Sequence, residues 1–403
     1  MKSRNRRSWR RQIGFSRARQ FGFVNSTNPG ATTVIMNIKP LLAKAKWAYS
    51  TRRVISSDAT GLSTDFLRAR PGDLLLARVQ TIGHHARIQL HSGRPADLYE
   101  GDTIVIAVGA RYAPDQFEGA AAIAAAGCDL LAAGGIAGQM RQRHDRVKDP
   151  TKLIPIGLLT DPIGEPLNLE HYGLPIRRAV TAPPMIGVLG ASMNSGKTTC
   201  AADLINGMAR AGFTVGAMKV TGTGAAGDGN TFHDAGAALV LDFTDAGLGT
   251  TYGATTRRLE AAMVTLAAHM NEIQPDVIVV EVADGLFQSE TALLIRSETF
   301  GRFVGGVLFA SPDALSMVAG TREIAEIGLP LLATGGLITR SPLAVGEAQR
   351  FVKAPLLTRE QLRHADAAIT LKNLAERRQP GALADFPPLP MLQTAISRPM
   401  PAD

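Results

Sequence analysis

Between residues 185 and 340 the chain alternates short, almost continuously apolar runs with longer amphipathic ones. The runs MIGVLG (185–190), FTVGAMKV (213–220), DVIVVEV (276–282), RFVGGVLFA (302–310) and LPLLATGGL (329–337) are strand-length and apolar on both faces. Between them, TTCAADLINGMARAG, RRLEAAMVTLAAHMNEI and DALSMVAGTREIAEIG carry apolar residues at helical spacing. Strands without a polar face are buried on both sides, so the pattern predicts a parallel sheet covered by helices over residues 185–380. Upstream the pattern changes. From about 70 to 112, DLLLARVQ, HARIQLHSG and DTIVIAVGARY are β-rich runs broken by Gly, Pro, Asp and Ser, and they predict a small antiparallel barrel or sheet. Residues 113–180 read as helix, strand, helix, strand, starting from FEGAAAIAAAG and CDLLAAGGIAG, with Gly134-Gly135 as a tight turn.

The predicted class is therefore α/β. A basic disordered extension (1–35) and a β-rich module (36–112) come first. A small α/β unit with its linker (113–184) leads into the parallel-sheet domain (185–380), and a Pro-rich tail (381–403) ends the chain. No internal repeat stands out.

Composition changes this picture little, and charge changes it only at one end. The 403 residues carry a net charge of +8, and Lys2, Arg4, Arg6, Arg7, Arg10, Arg11, Arg17 and Arg19 account for all of it. The rest of the chain is balanced, which argues against nucleic acid as the partner of the folded body. The basic arm reads as a solvated tail, with a start site upstream of Met36 as one explanation. No apolar run reaches the roughly 18–20 residues of a membrane span. The two cysteines, Cys128 and Cys200, have no ligand-like spacing, which fits a reducing cytoplasm.

Candidate chemistry concentrates after the strand MIGVLG. Residues 191–198, ASMNSGKT, follow the phosphate-loop pattern with Ala191 in place of its first glycine. Small residues there let backbone N–H groups surround a β-phosphate. Lys197 reaches the β- and γ-phosphates, and the Thr198 hydroxyl ligates Mg2+. Ala191, Asn194, Ser195, Gly196 and Thr199 complete the cradle, whose helix presents its positive end to the anion. The strand PDVIVVEVADG ends at Glu281 and Asp284, either of which could hold the metal. Lys219, at the end of the second strand, is placed to stabilise a transferring phosphoryl group. A polar loop beyond it carries Asp228, a candidate Mg2+ or substrate contact, and His233, read as a non-ligand.

Taken together, residues 185–340 resemble the dethiobiotin-synthetase-like branch of phosphate-loop proteins. Gly190, five residues, then Gly196-Lys197-Thr198 reproduces that family's spacing. Lys219 matches the lysine of its Lys-Pro, with Val220 in place of the proline, and Glu281-Val282-Ala283-Asp284-Gly285 matches its Glu-Gly-Ala-Gly-Gly in part. The resemblance implies Mg-ATP binding, phosphoryl transfer to a small-molecule carboxylate or carbamate, and frequent dimerisation. Asn-Ser-Gly-Lys-Thr-Thr also resembles the accessory GTP-binding proteins of molybdenum-cofactor assembly. Ser192 stands where the cell-division and arsenite-pump ATPases carry an additional lysine, which disfavours that subgroup. No Asn-Lys-x-Asp guanine signature follows, which favours ATP. Three functions remain open at this stage: an ATP-dependent ligase or kinase, a nucleotide switch or cofactor-assembly chaperone acting on a protein partner, and nucleic-acid binding through the basic arm.

Overall fold

A computed structural model describes residues 33–34, 38–177 and 183–378. Most of the basic extension, the centre of the linker and the Pro-rich tail lie outside the described residues.

The N-terminal part is built on twelve strands: β1 (Thr33–Val34), β2 (Lys46–Trp47), β3 (Gly61–Ser63), β4 (Leu74–Thr81), β5 (Arg87–Gln89), β6 (Pro95–Asp97), β7 (Thr103–Val108), β8 (Arg111–Tyr112), β9 (Phe117–Ala120), β10 (Cys128–Ala132), β11 (Ile136–Arg143) and β12 (Thr151–Thr160). One short helix, α1 (Lys39–Lys44), precedes β2. The pairings β12–β4, β4–β7, β7–β11, β11–β10 and β10–β12 close on themselves as a five-stranded ring. Alternation explains why these strands are apolar on both sides. In β4, Leu75, Ala77 and Val79 join one core cluster with Ile104, Ile106 and Leu130, while Leu74 and Leu76 join another with Val105, Ala107 and Leu131.

The ring corrects the reading of residues 113–180. They belong to the same sheet as 70–112, and the sole helical turn among described residues 113–177 is the 3-10 turn Leu169–Tyr172. FEGAAAIAAAG, alanine-rich enough to suggest a helix, instead forms β9 and a turn. Tertiary packing overrides propensity here. Phe117 is buried, and a Cβ on Gly119 would stand 2.6 Å from Leu131 Cδ1, so the strand lies flat against its neighbour.

The second part is the predicted parallel sheet. Its strands are β13 (Met185–Gly190), β14 (Val215–Lys219), β15 (Leu239–Asp242), β16 (Val277–Glu281), β17 (Gly306–Ala310) and β18 (Leu331–Gly335), in the order β15-β14-β16-β13-β17-β18, with every pairing parallel. The helices are α2 (Lys197–Arg210), α3 (Ala226–Ala235), α4 (Thr256–Met270), α5 (Ser289–Ile295), α6 (Glu298–Phe303), α7 (Ala314–Glu326), α8 (Pro342–Gln349), α9 (Arg359–Leu362) and α10 (Ala365–Arg378). Met185 and Leu189 face a core shared with α4 to α7, while Ile186 and Val188 face the core under α2, α9 and α10. Two elements differ from the sequence reading: β15 and α3 occupy stretches expected to be polar loop. None of the helices described is long and apolar enough to cross a membrane.

The two parts meet over the carboxyl ends of the parallel strands. Arg52 pairs with Asp245 at 2.7 Å and Asp242 at 3.4 Å, Arg53 reaches Asp245 at 3.3 Å, and the Tyr49 hydroxyl donates to Asp242 at 3.0 Å. Gln89 accepts from the Ala226 backbone N–H at 2.9 Å. Gly134, expected to make only a tight turn, lies where a Cβ would come within 1.7 Å of the Gly224 carbonyl oxygen. Its role is close approach of two backbones across the interface.

Candidate active site at the carboxyl ends of the parallel strands

Register places the site. Val188 of β13 pairs with Glu281 of β16, Glu281 with Lys219 of β14, and Lys219 with Asp242 of β15, so these residues form one row across neighbouring strands. In an open parallel sheet this is the edge on which ligands sit. The chain leaves β13 through Ala191–Ser195 and turns at Gly196, whose φ of 98° demands glycine, into α2. Asn194, with φ 61°, is the second left-handed residue of the loop. Gly190 is tightly constrained: a Cβ there would lie 2.3 Å from Ser195 Oγ and 2.5 Å from Lys197 Cγ.

The structure brings most of the predicted residues together. Thr198 Oγ1 lies 3.2 Å from both Asp228 Oδ1 and Glu281 Oε1. The Lys219 ammonium donates to Asp228 and stands 3.6 Å from Glu281 Oε1. Lys197, also buried, curls over the loop and donates to the Ser192 carbonyl at 2.7 Å. Asp228 belongs to the first turn of α3, and this helix carries it to Thr198. His233, on the same helix, is exposed and apart from the cluster. Thr199 lies within the first turn of α2, which begins at Lys197. Asp284 does not join the Thr198 hydrogen bonds. It lines a crevice on the side of the β-rich part, with Ala283, Gly222, Thr223, Thr251, Tyr252, Gln288 and Tyr112.

Burial and charge set the electrostatics. Burial works against the charge on Lys197 and lowers its pKa, although Glu281 and Asp284 pull the other way. Burial also opposes the charge on Lys219, but Glu281 and Asp228 outweigh it and hold the ammonium above the ordinary lysine value. Asp228 is buried too, and Lys219 more than offsets that, keeping the carboxylate below its usual range. Burial raises Glu281 and Asp284, with lysines opposing it in both cases.

Magnesium fits these residues. Thr198, Asp228 and Glu281 form an all-oxygen donor set suited to a hard cation. Glu281 Oε2 is buried with no hydrogen-bond partner, and so is Ser195 Oγ in the loop. Among the described residues no three His, Cys, Asp or Glu side chains converge on one point.

Sequence reasoning missed the residues the β-rich part contributes. Asp115, between β8 and β9, accepts a hydrogen bond from the Asn194 side chain of the loop. Tyr112 sets its ring 5.5 Å from that of Tyr252, whose hydroxyl reaches Glu118 Oε1 at 3.4 Å. These contacts span at least 79 residues of sequence, and no local pattern announces them.

No protein-family model and no curated protein matches this chain. Among solved structures it is similar to the signal recognition particle receptor FtsY from Elizabethkingia anophelis, at 14% identity over 50% of this chain and 68% of that one, with a TM-score of 0.33. A nucleotide-binding protein in complex with ADP from Archaeoglobus fulgidus aligns at 12% identity over 51% of this chain and 92% of its own, with a TM-score of 0.31. The septum site-determining protein MinD complexed with Mg-ADP from Pyrococcus horikoshii aligns at 16% identity over 47% and 94%, with a TM-score of 0.31. At this level of similarity the site is read from its own geometry.

Proposed function

We propose that the chain binds Mg-ATP at residues 191–199 and transfers the γ-phosphoryl group to a small-molecule acceptor, as an ATP-dependent kinase or ligase. The observation that carries this reading is the meeting of Lys219 and Glu281, at the ends of two strands, with Thr198 and Asp228, in the first turns of α2 and α3, at the phosphate loop. The loop N–H groups and the start of α2 receive the phosphates, and Lys197 exchanges its Ser192 carbonyl for phosphate oxygens. Thr198, Asp228 and Glu281 would hold Mg2+, which would supply positive charge to the bound phosphates. Lys219 supplies a second cation to the transferring phosphoryl. ATP is chosen over GTP because the sequence has no Asn-Lys-x-Asp signature.

A second reading, a nucleotide switch acting on a protein partner, draws on the Asp115–Asn194 contact, which ties the β-rich part to the loop that would sense the nucleotide.

Turnover separates the two readings. ADP and phosphate release from Mg-ATP is measured with and without a pooled metabolite extract. Strong stimulation by the extract is expected for the kinase or ligase. Slow hydrolysis that ignores the extract, with altered amide exchange around residue 115 on nucleotide addition, would replace it with the switch.

A further inference from the structure

The crevice lined by Asp284 lies outside the Thr198 cluster and draws on both parts of the molecule. Its walls come from the loop after β14 (Gly222, Thr223), the loop before α4 (Thr251, Tyr252), the end of β16 (Ala283, Asp284), Gln288 and, from β8, Tyr112. It adjoins the phosphate-transfer machinery: a Cβ on Gly222 would stand 3.2 Å from Lys219 Cε, and one on Gly285 would stand 2.6 Å from the Ala191 carbonyl oxygen.

Three of its polar groups have no protein partner among the described residues. Among the described residues, no hydrogen bond or ion pair engages the Asp284 carboxylate, the Thr223 hydroxyl or the Tyr112 hydroxyl. The other polar groups are occupied. Thr251 Oγ1 accepts from Gly222 N–H at 2.8 Å, Gln288 bonds to Glu290 and Thr291, and Tyr252 reaches Glu118. Asp284 is half-buried, and because an ionised carboxylate only accepts, water or any ligand that satisfies it must bring a donor. Size and charge narrow the class. The interior space of the crevice is about 10 Å³, that of one water, which suits a hydroxyl better than a carboxylate. The charges influencing Asp284 are Lys197, Lys219 and Arg111 against Asp228, so an ammonium would meet three cations.

We propose that this crevice is the acceptor site, completed within one chain by the β-rich part, and that it takes a small neutral molecule through a hydroxyl group donating to Asp284. The inference rests on residues 191–199 being the nucleotide site, and it replaces the carboxylate acceptor implied by the family resemblance with an alcohol. In the step it supports, the acceptor oxygen bonds to the γ-phosphorus as the bond to the β,γ-bridging oxygen breaks. The nucleoside diphosphate leaves with that electron pair, and the hydroxyl proton passes to Asp284 and on to solvent.

The test uses the full chain with Mg-ADP and ligand-observed NMR. Glycerol, erythritol and inositol serve as neutral hydroxyl probes, putrescine as an amine, and acetate and succinate as carboxylates. The expected result is saturation transfer to a polyol alone, weakened about tenfold in Asp284→Asn, near the size expected for a hydrogen bond to a charged group, and about threefold in Thr223→Val, where a neutral hydrogen bond is lost. Circular dichroism checks that both variants are folded. Carboxylate or amine signals with the same dependence, polyol signals that survive both substitutions, or no polyol signal at all would overturn the assignment. A fluorescent-ADP titration of the same samples reports on the loop separately. Nucleotide binding without crevice-dependent polyol binding removes only the acceptor assignment, whereas loss of nucleotide binding removes the function proposed above.

Discussion

Two acids at the end of one strand, Glu281 and Asp284, have different surroundings. Glu281 shares Thr198 and Lys219 with Asp228, whereas Asp284 faces the crevice with no bonded partner among the described residues. A carboxylate left so by the fold costs stability whenever it is ionised. Burial raises its folded pKa above the unfolded value, so the folded state binds the extra proton. Stability therefore falls as pH rises from about 4, the ordinary aspartate value, through the raised one. Asp284→Asn is accordingly expected to raise the melting temperature at neutral pH, with the gain shrinking as the pH falls toward 4. A melting series across pH reads this directly, and a loss of stability at neutral pH would show that the carboxylate has a partner in the folded protein. The same residue marks a limit of the sequence: the spacing of PDVIVVEVADG placed both acids at a strand end but could not say which one faces the Thr198 hydroxyl. That choice is made by α3, which brings in Asp228, and by the loop after β14, which brings in the crevice.

At the scale of elements, the five strands expected in 185–340 all form, because runs buried on both faces carry a signal that local rules read well. Helix α3 was illegible for a physical reason. AGDGNTFHDA has two glycines and buries only Ala226 and Phe232, so it has no apolar stripe and is held by its contacts with α2 and with Gln89. The β-rich part was half legible: β-rich runs broken by Gly, Pro, Asp and Ser announced β4 and β7, but ring closure by β10 to β12 depends on partners far away in sequence. Gly134, at the turn between β10 and β11, tests how tightly the two parts fit. Gly134→Ala forces a methyl group onto the Gly224 carbonyl and is expected to cost about 1–3 kcal/mol in denaturant unfolding. An unchanged midpoint would mean that the two backbones stand further apart than described.

For the molecule as a whole, the question is whether the two parts act as one body. Asp242 and Asp245, both buried, depend on Arg52 and Arg53 for countercharge, and Tyr49 lies under the Arg52 guanidinium at 4.2 Å. Arg52→Ala leaves Arg53 as the sole arginine pairing with Asp245. The expected cost is roughly 2–3 kcal/mol, below that of a fully buried pair because the site retains some solvent access. The more telling readout is shape: a single cooperative calorimetric transition should split in two if the network couples the parts.

The account depends on one event, the capture of a nucleotide by residues 191–199. Calorimetric titration of Mg-ATP into the full chain, with Lys197→Ala and Lys219→Ala in parallel, tests it most directly. Saturable one-to-one binding is expected for the unmodified chain. Lys197→Ala should weaken it about 10- to 100-fold, the worth of a charge-assisted phosphate contact, while Lys219→Ala binds with little loss and turns over slowly. Binding that is absent, or indifferent to Lys197, would contradict the account at its root.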